Sequence, residues 1–267
     1  MGDIRVNKAK FKLQGQLPTE GKVDSSHSLI HLNGSTIHPS QVKWDAPVSG
    51  SVYGTLLNYK GALAALGDSV NESPYKEPPK APILYIKPVN TISGYGAEIP
   101  LPTGIEHLEV GATLGIVIGK TATKVSIDRA KEFISGYTIV NDITVPHQSV
   151  FRPAVQYRAR DGFCPIGPWI IEDEAVNPDN LGVRVYVNDE LVQENTTSNL
   201  IRSVSQLLAE VTEFMTLFAG DVLLIGVPEN PPLVKAGDNI RIEIDQIGYL
   251  ENVVVPENEL TIGGDVQ

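Results

Sequence analysis

Leu114-Gly115-Ile116-Val117-Ile118 is the stretch that decides the fold. It is apolar throughout, β-branched at three of its positions, and closed by Gly119-Lys120. A run this short cannot make a core helix, and β-branched side chains pack well on a pleated surface, so it reads as a buried strand. The same reading extends outward from it. Residues 52–57, 83–86, 137–140, 221–227, 239–244 and 249–255 are further strands. Residues 183–187 and 191–195 flank Asn188-Asp189 and form a hairpin, because Asn and Asp tolerate the left-handed backbone of a two-residue turn. Before residue 50 the chain is polar and irregular, with strand-like runs at 10–13 and 29–32 and an Asn33-Gly34 turn. Two helices are predicted. One spans 127–135, capped by Ser126 and stopped by Gly136; the other spans about 200–214, with Ile201, Val204, Leu207, Leu208 and Val211 on one side. Residues 74–82 form a Pro-rich loop, and Phe163-Cys164-Pro165-Ile166-Gly167-Pro168-Trp169 reads as an apolar loop with two prolines. The expected fold class is therefore mainly β with short helices (α+β). Residues 1–50 form a small β appendage, and 51–267 form the principal domain.

The composition narrows the functions. The chain has 267 residues, 42% hydrophobic and 20% charged, which is a globular mix. It carries 21 Lys+Arg against 32 Asp+Glu, a net charge of −11, whose field repels nucleic acid and anionic membranes. The lone cysteine, Cys164, excludes an internal disulfide and a cysteine metal cluster, and reads as packing in an apolar segment. MGDIRVNKAKFK lacks the apolar stretch of a signal peptide, and no run of about 18 apolar residues exists to cross a membrane. The expectation is a cytoplasmic protein.

Familiar catalytic motifs are missing. His27, His31, His38, His107 and His147 form no helical metal-ligand pair, and there is no nucleophile elbow and no phosphate-binding loop. Asp142, just past a strand-like run, is either a ligand for a hard divalent cation or the cap of the next turn. In Tyr157-Arg158-Ala159-Arg160-Asp161-Gly162, Arg158 and Arg160 either clamp a carboxylate in bidentate fashion or pair with Asp161 or a neighbour.

At these segments the sequence resembles the fumarylacetoacetate hydrolase family, over roughly residues 50–256. The landmarks are Leu57-Asn58-Tyr59, Lys87-Pro88, Ile116-Val117-Ile118-Gly119-Lys120, Gly136-Tyr137-Thr138-Ile139-Val140-Asn141-Asp142, Arg160-Asp161-Gly162-Phe163-Cys164-Pro165, Val187-Asn188-Asp189-Glu190, Gly220-Asp221-Val222, Gly226, Pro228 and Gly237-Asp238. Residues 107–113 and Phe151-Arg152-Pro153 point to the isomerase/decarboxylase branch of 4-hydroxyphenylacetate breakdown. The resemblance implies a mixed β-sheet roll. It also implies Mg²⁺ or Mn²⁺ as a Lewis acid that stabilises an enolate. The implied substrates are 5-oxopent-3-ene-1,2,5-tricarboxylate and 2-hydroxyhepta-2,4-diene-1,7-dioate.

Several positions depart from the family pattern. The metal-binding Glu-x-Glu is replaced by Gly111 and Thr113, which leaves Asp142 as the surviving metal carboxylate; Glu109 stands two residues earlier. Ala62 occupies the position of the usual histidine base, Arg158 that of a lysine, and Ile225-Gly226-Val227-Pro228 replaces Thr-Gly-Thr-Pro. The expected site has Asp142, Arg158 and Asp161 as catalytic residues, with Tyr59, Lys87 and Arg160 holding a di- or tricarboxylate in a locally basic pocket. Three readings follow. The chain is a catalytic subunit, a non-catalytic one that scaffolds a metal-bearing homologue, or an acylpyruvate-type hydrolase. A homo-oligomer, or a hetero-oligomer with that homologue, is expected.

Overall fold

The computed structural model describes residues 6–24, 29–32, 34–73, 76–147 and 154–260. The expectations concerning His27, Asn33, Pro74 and Phe151-Arg152-Pro153 lie outside these residues. The chain begins with β1 (Val6–Leu13), β2 (Thr19–Asp24), β3 (Leu29–Leu32), β4 (Ser35–Ile37) and β5 (Trp44–Asp45). There follow β6 (Val52–Leu56), α1 (Lys60–Ala64), β7 (Ile83–Lys87), β8 (Ile92–Ser93), β9 (Glu98–Leu101), β10 (Leu108–Glu109), β11 (Ala112–Ile118) and β12 (Ile134–Asn141). The remainder holds α2 (Val155–Arg158), β13 (Cys164–Ile171), β14 (Gly182–Val187), β15 (Glu190–Thr196), α3 (Val204–Phe214), β16 (Val222–Leu224), β17 (Leu233–Val234), β18 (Asn239–Ile244) and β19 (Gly248–Pro256).

The strands make mixed sheets. The larger runs β4-β3-β2-β1-β13-β12-β11-β16-β6-β7, with β5 added on β1 and β8 on β13. The N-terminal strands thus extend the main sheet, through antiparallel pairing of β1 with β13. A second sheet runs β15-β14-β18-β19-β9, and β10 pairs with β17. Every residue of β11 and of β13 is buried, as expected for strands covered on both faces. Asn188 and Asp189 both adopt positive φ at the β14–β15 turn, as the hairpin reading requires. Among the described residues no helix is long and apolar enough to cross a membrane.

Three local expectations need correction. Residues 127–133 form a 3-10 turn with no side-chain cap from Ser126, and β12 starts at Ile134. Gly136, expected to stop that helix, lies within β12; a Cβ there would sit 2.4 Å from the Ile171 carbonyl oxygen, so glycine allows β13 to approach. The segment 163–169, expected as a loop, instead supplies most of the central strand β13 (Cys164–Ile171). Pro165 pairs there in parallel with Ser93, a register that needs no N–H from the proline, and the β12–β13 register is irregular where Gly167-Pro168 passes. The second helix is shorter than expected: α3 begins after Ser203, whose hydroxyl accepts the Gln206 N–H at 3.2 Å.

Candidate active site

Register carries the site residues together. Ala112 of β11 pairs with Asn141 of β12, so Asp142 emerges beside Gly111 and its N–H donates to the Gly111 carbonyl at 2.8 Å. Tyr85 and Lys87, two residues apart on β7, point to the same side of the strand. Both reach Asp142. Lys87 Nζ lies 2.9 Å from Asp142 Oδ1, and the Tyr85 hydroxyl donates to Oδ2. From the C-terminal end of α2, Arg158 places Nη1 3.0 Å from the same Oδ2. Its guanidinium carbon sits 4.8 Å from the centre of the Tyr85 ring, a cation–π contact that fixes its plane. Lys87 Nζ also donates to the Ile143 carbonyl at 3.1 Å and the Arg158 carbonyl at 2.8 Å. The Lys87 and Asp142 side chains are fully buried, whereas that of Arg158 keeps 17% exposure.

This cluster forms the floor of a cavity of about 830 Å³. Its walls are largely apolar, with Leu56, Leu66, Ile83 and Val227 among them. Glu109, His147 and Glu229 also face the cavity. Glu109 is held on β10 by reciprocal backbone bonds with Thr144, two residues past Asp142. His147 stacks on Tyr157 with ring centroids 4.8 Å apart. Glu229, after β16, lies against Gly61 of α1 and accepts the Asn195 amide at 3.2 Å.

The electrostatics divide the titrating groups. Burial alone would raise the Asp142 carboxyl, but Lys87 and Arg158 hold it below the ordinary carboxylate value. It stays ionised and is a poor base. Burial raises the Glu109 carboxyl, an effect that Arg158 partly offsets. Burial lowers His147, and Arg158 adds to that shift. The carboxyl and the imidazole thus both move from their ordinary values toward each other. Burial pushes the Cys164 thiol up to about 12, in keeping with a packing role.

The expected residues separate. Asp142 and Arg158 meet at the cavity floor. Lys87 supports that floor from beneath: it is fully buried outside the cavity lining, ion-paired with Asp142 and donating to two carbonyls, so it does not meet a substrate directly. Tyr59 is fully buried, away from the cavity lining, and its hydroxyl bonds to no described residue. Arg160 and Asp161 face a separate hollow of about 250 Å³ beside Pro100 and Glu257. There Asp161 accepts the Asn90 amide at 2.6 Å, and Arg160 Nε donates to the Gln156 carbonyl at 2.9 Å. The basic pocket is narrower than expected. Lys87 and Arg158 are its cations, against Asp142, Glu109 and Glu229, so positive charge dominates at the floor alone. Tyr85 escaped notice in the sequence, because its role rests on its two-residue spacing from Lys87 and on the β6–β7 pairing. His147 was one of five unassigned histidines.

The donor set does not fit a divalent cation. Among the described residues no three His, Cys, Asp or Glu side chains converge as ligands. Asp142 already faces two cations. At Gly111 a Cβ would lie 2.3 Å from the Asp142 carbonyl oxygen, so this backbone leaves no room for a carboxylate side chain there. The Thr113 hydroxyl is buried and turned toward the Leu114 carbonyl.

Comparison with known proteins gives a consistent result. The profile of the fumarylacetoacetate (FAA) hydrolase C-terminal family matches residues 51–255. The homoprotocatechuate catabolism bifunctional isomerase/decarboxylase of Escherichia coli is 40% identical over 214 residues, covering 80% of this chain and 49% of that protein. The chain thus spans about half the length of that relative. A 2-hydroxyhepta-2,4-diene-1,7-dioate isomerase from Mycobacterium marinum superposes with a TM-score of 0.75 at 26% identity, covering 96% of this chain and 100% of that one. Maleylpyruvate hydrolase from Sphingobium sp. SYK-6, solved with manganese(II) and pyruvate, gives a TM-score of 0.68 at 31% identity, covering 83% and 77%.

Proposed function

The chain belongs to the fumarylacetoacetate hydrolase family, and from that premise we propose that its cavity isomerises a 2-hydroxy-2,4-dienoate of the 2-hydroxyhepta-2,4-diene-1,7-dioate class. The observation that carries this reading is Arg158, which reaches from the floor into the same cavity that Glu109 and His147 line. The guanidinium holds the substrate carboxylate and 2-oxygen through paired N–H donors. His147, neutral because its pKa is lowered, takes the enol O–H proton. The electron pair of that O–H bond becomes the C2=O π bond, the C2=C3 pair moves to C3=C4, and the C4=C5 pair takes a proton at C5 from Glu109, whose carboxyl burial raises. Nothing is oxidised, and the two proton transfers balance. Decarboxylation of 5-oxopent-3-ene-1,2,5-tricarboxylate makes a heavier demand on an electron sink. Isomerisation is the part of the expected chemistry that this geometry supports best.

The test is loss of the dienol absorbance with purified protein in chelator-treated buffer. Glu109→Gln should lower kcat by about 10²-fold, the usual worth of a positioned acid. Arg158→Gln should act mainly on KM. A second reading has its own support: the Escherichia coli relative is about twice as long, and among the described residues no metal-ligating cluster lines the cavity. The chain would then complete a metal-bearing homologous subunit. No turnover by the isolated chain, with activity gained by that homologue on mixing, would favour the second reading over the first.

A further inference from the structure

We infer that the cavity floor is a metal-independent anion site, in which Arg158, backed by the buried Lys87–Asp142 pair, stands in for a divalent cation and binds a 2-oxo or enol carboxylate. The inference rests on the cavity being the ligand site but not on the reaction proposed for it. Both Asp142 oxygens face cations, Oδ1 with Lys87 at 2.9 Å and Oδ2 with Arg158 at 3.0 Å. One carboxylate against two cations leaves one positive charge. That charge is fixed in place. The buried Lys87 ammonium is ion-paired with Asp142 and donates to the Ile143 and Arg158 carbonyls, so it is held in place beside the carboxylate.

Arg158 delivers the excess charge to the ligand. Nη1 is engaged by Asp142, while its Nε and Nη2 bond to no described residue. Its side chain is the exposed member of the cluster, and the Tyr85 ring holds its plane. A guanidinium with free N–H groups in one plane matches the two coplanar oxygens of a 2-oxo carboxylate. The same oxygen pair is what a metal would chelate, so one ligand class serves either arrangement. A divalent cation would have to displace both resident cations. It would also need ligands at position 111, where there is no room, and at 113, where a buried threonine stands. The surrounding apolar wall of Leu56, Ile83 and Val227 strengthens the remaining positive charge by excluding water.

The experiment uses the whole chain and two readouts other than activity. Oxalate, a planar dianion with vicinal oxygens, is titrated by calorimetry in excess EDTA. Separately, Mn²⁺ is titrated while the free-ion signal is followed by electron paramagnetic resonance. Saturable oxalate binding in EDTA and an unchanged Mn²⁺ signal are expected. Arg158→Gln should weaken oxalate at least about tenfold, with Arg158→Lys intermediate because it keeps the charge and loses the planar fork. Stoichiometric Mn²⁺ binding at micromolar concentration, or oxalate binding that appears only with Mn²⁺, would overturn the inference. Should a variant fail to fold, the wild-type comparison still decides. Oxalate binding without dienol turnover would sink the proposed reaction and leave this site standing.

Discussion

Asp142 is where sequence and structure meet most directly. The sequence placed Asp142, Lys87 and Arg158 in one candidate site, as a catalytic carboxylate and two substrate-holding or catalytic cations, and the structure brings the three side chains together. What the sequence could not supply was their order in depth. Lys87 and Arg158 look equivalent in the sequence; only the paired strands show that one is buried beneath the carboxylate while the other reaches the cavity. Removing one partner of a buried ion pair typically costs about 3–5 kcal/mol, because the other charge is stranded. Lys87→Met should therefore destabilise by that order in urea unfolding, and adding Asp142→Asn should recover part of the loss. The Asp142 carboxyl titrates below its unfolded value, so its contribution is present above the ordinary carboxylate range and disappears as pH falls through the folded value. The wild-type urea midpoint should drop below about pH 4, and the double variant should lose this acid sensitivity. Glu109 has the opposite sign. Its pKa is raised, so its ionised form weakens the fold at neutral pH, and the effect fades once both folded and unfolded states are protonated. Glu109→Gln should raise Tm at pH 7 and leave it unchanged near pH 3.

At the scale of elements, most strands were legible because the β-sheet period and turn chemistry are local. The β14–β15 hairpin needed only its alternating pattern and Asn188-Asp189, and both turn residues adopt the expected left-handed backbone. The β13 strand was hidden by Pro165 and Pro168. Prolines normally exclude a central strand, and here an irregular register and a parallel partner accommodate them. The turn at 127–133 was misread for a different reason: its apolar spacing suits a helix, but Gly136 belongs to the neighbouring sheet. Gly136→Ala should consequently behave as a core substitution. The added methyl collides with the Ile171 carbonyl, and destabilisation of about 1–3 kcal/mol is expected by denaturant titration. Ser203→Ala removes a helix cap and should cost about 1 kcal/mol in the same measurement.

Across the whole molecule, a charge of −11 surrounds a floor with one positive charge to spare. The field of the protein opposes any anion on approach, while Arg158 attracts it at contact. Added salt screens the distant repulsion more than the partly buried contact, since exposed charges beyond about 8–10 Å are screened first. The association rate for oxalate should therefore rise with moderate ionic strength, the reverse of the dependence shown by a cationic binding protein, and stopped-flow measurement would show it. Family membership and mixed-sheet architecture were readable from ordered landmarks. The separation of Arg160 and Asp161 from the cavity was not, because the turn between Arg158 and Arg160 directs neighbouring charges to different hollows.

The contact at Gly111 also limits how this site can be redesigned. A backbone that brings the Asp142 carbonyl within 2.3 Å of where a side chain would begin has closed a door behind it. Glutamate at this position would first require β11 and β12 to part, and glutamate at Thr113 alone would place a second carboxylate near Asp142 without completing a cage. Each single step toward a metal-binding set of carboxylates would cost stability before it conferred function. An engineer seeking to build a cation site here would have to redesign the strand pair before touching the ligands.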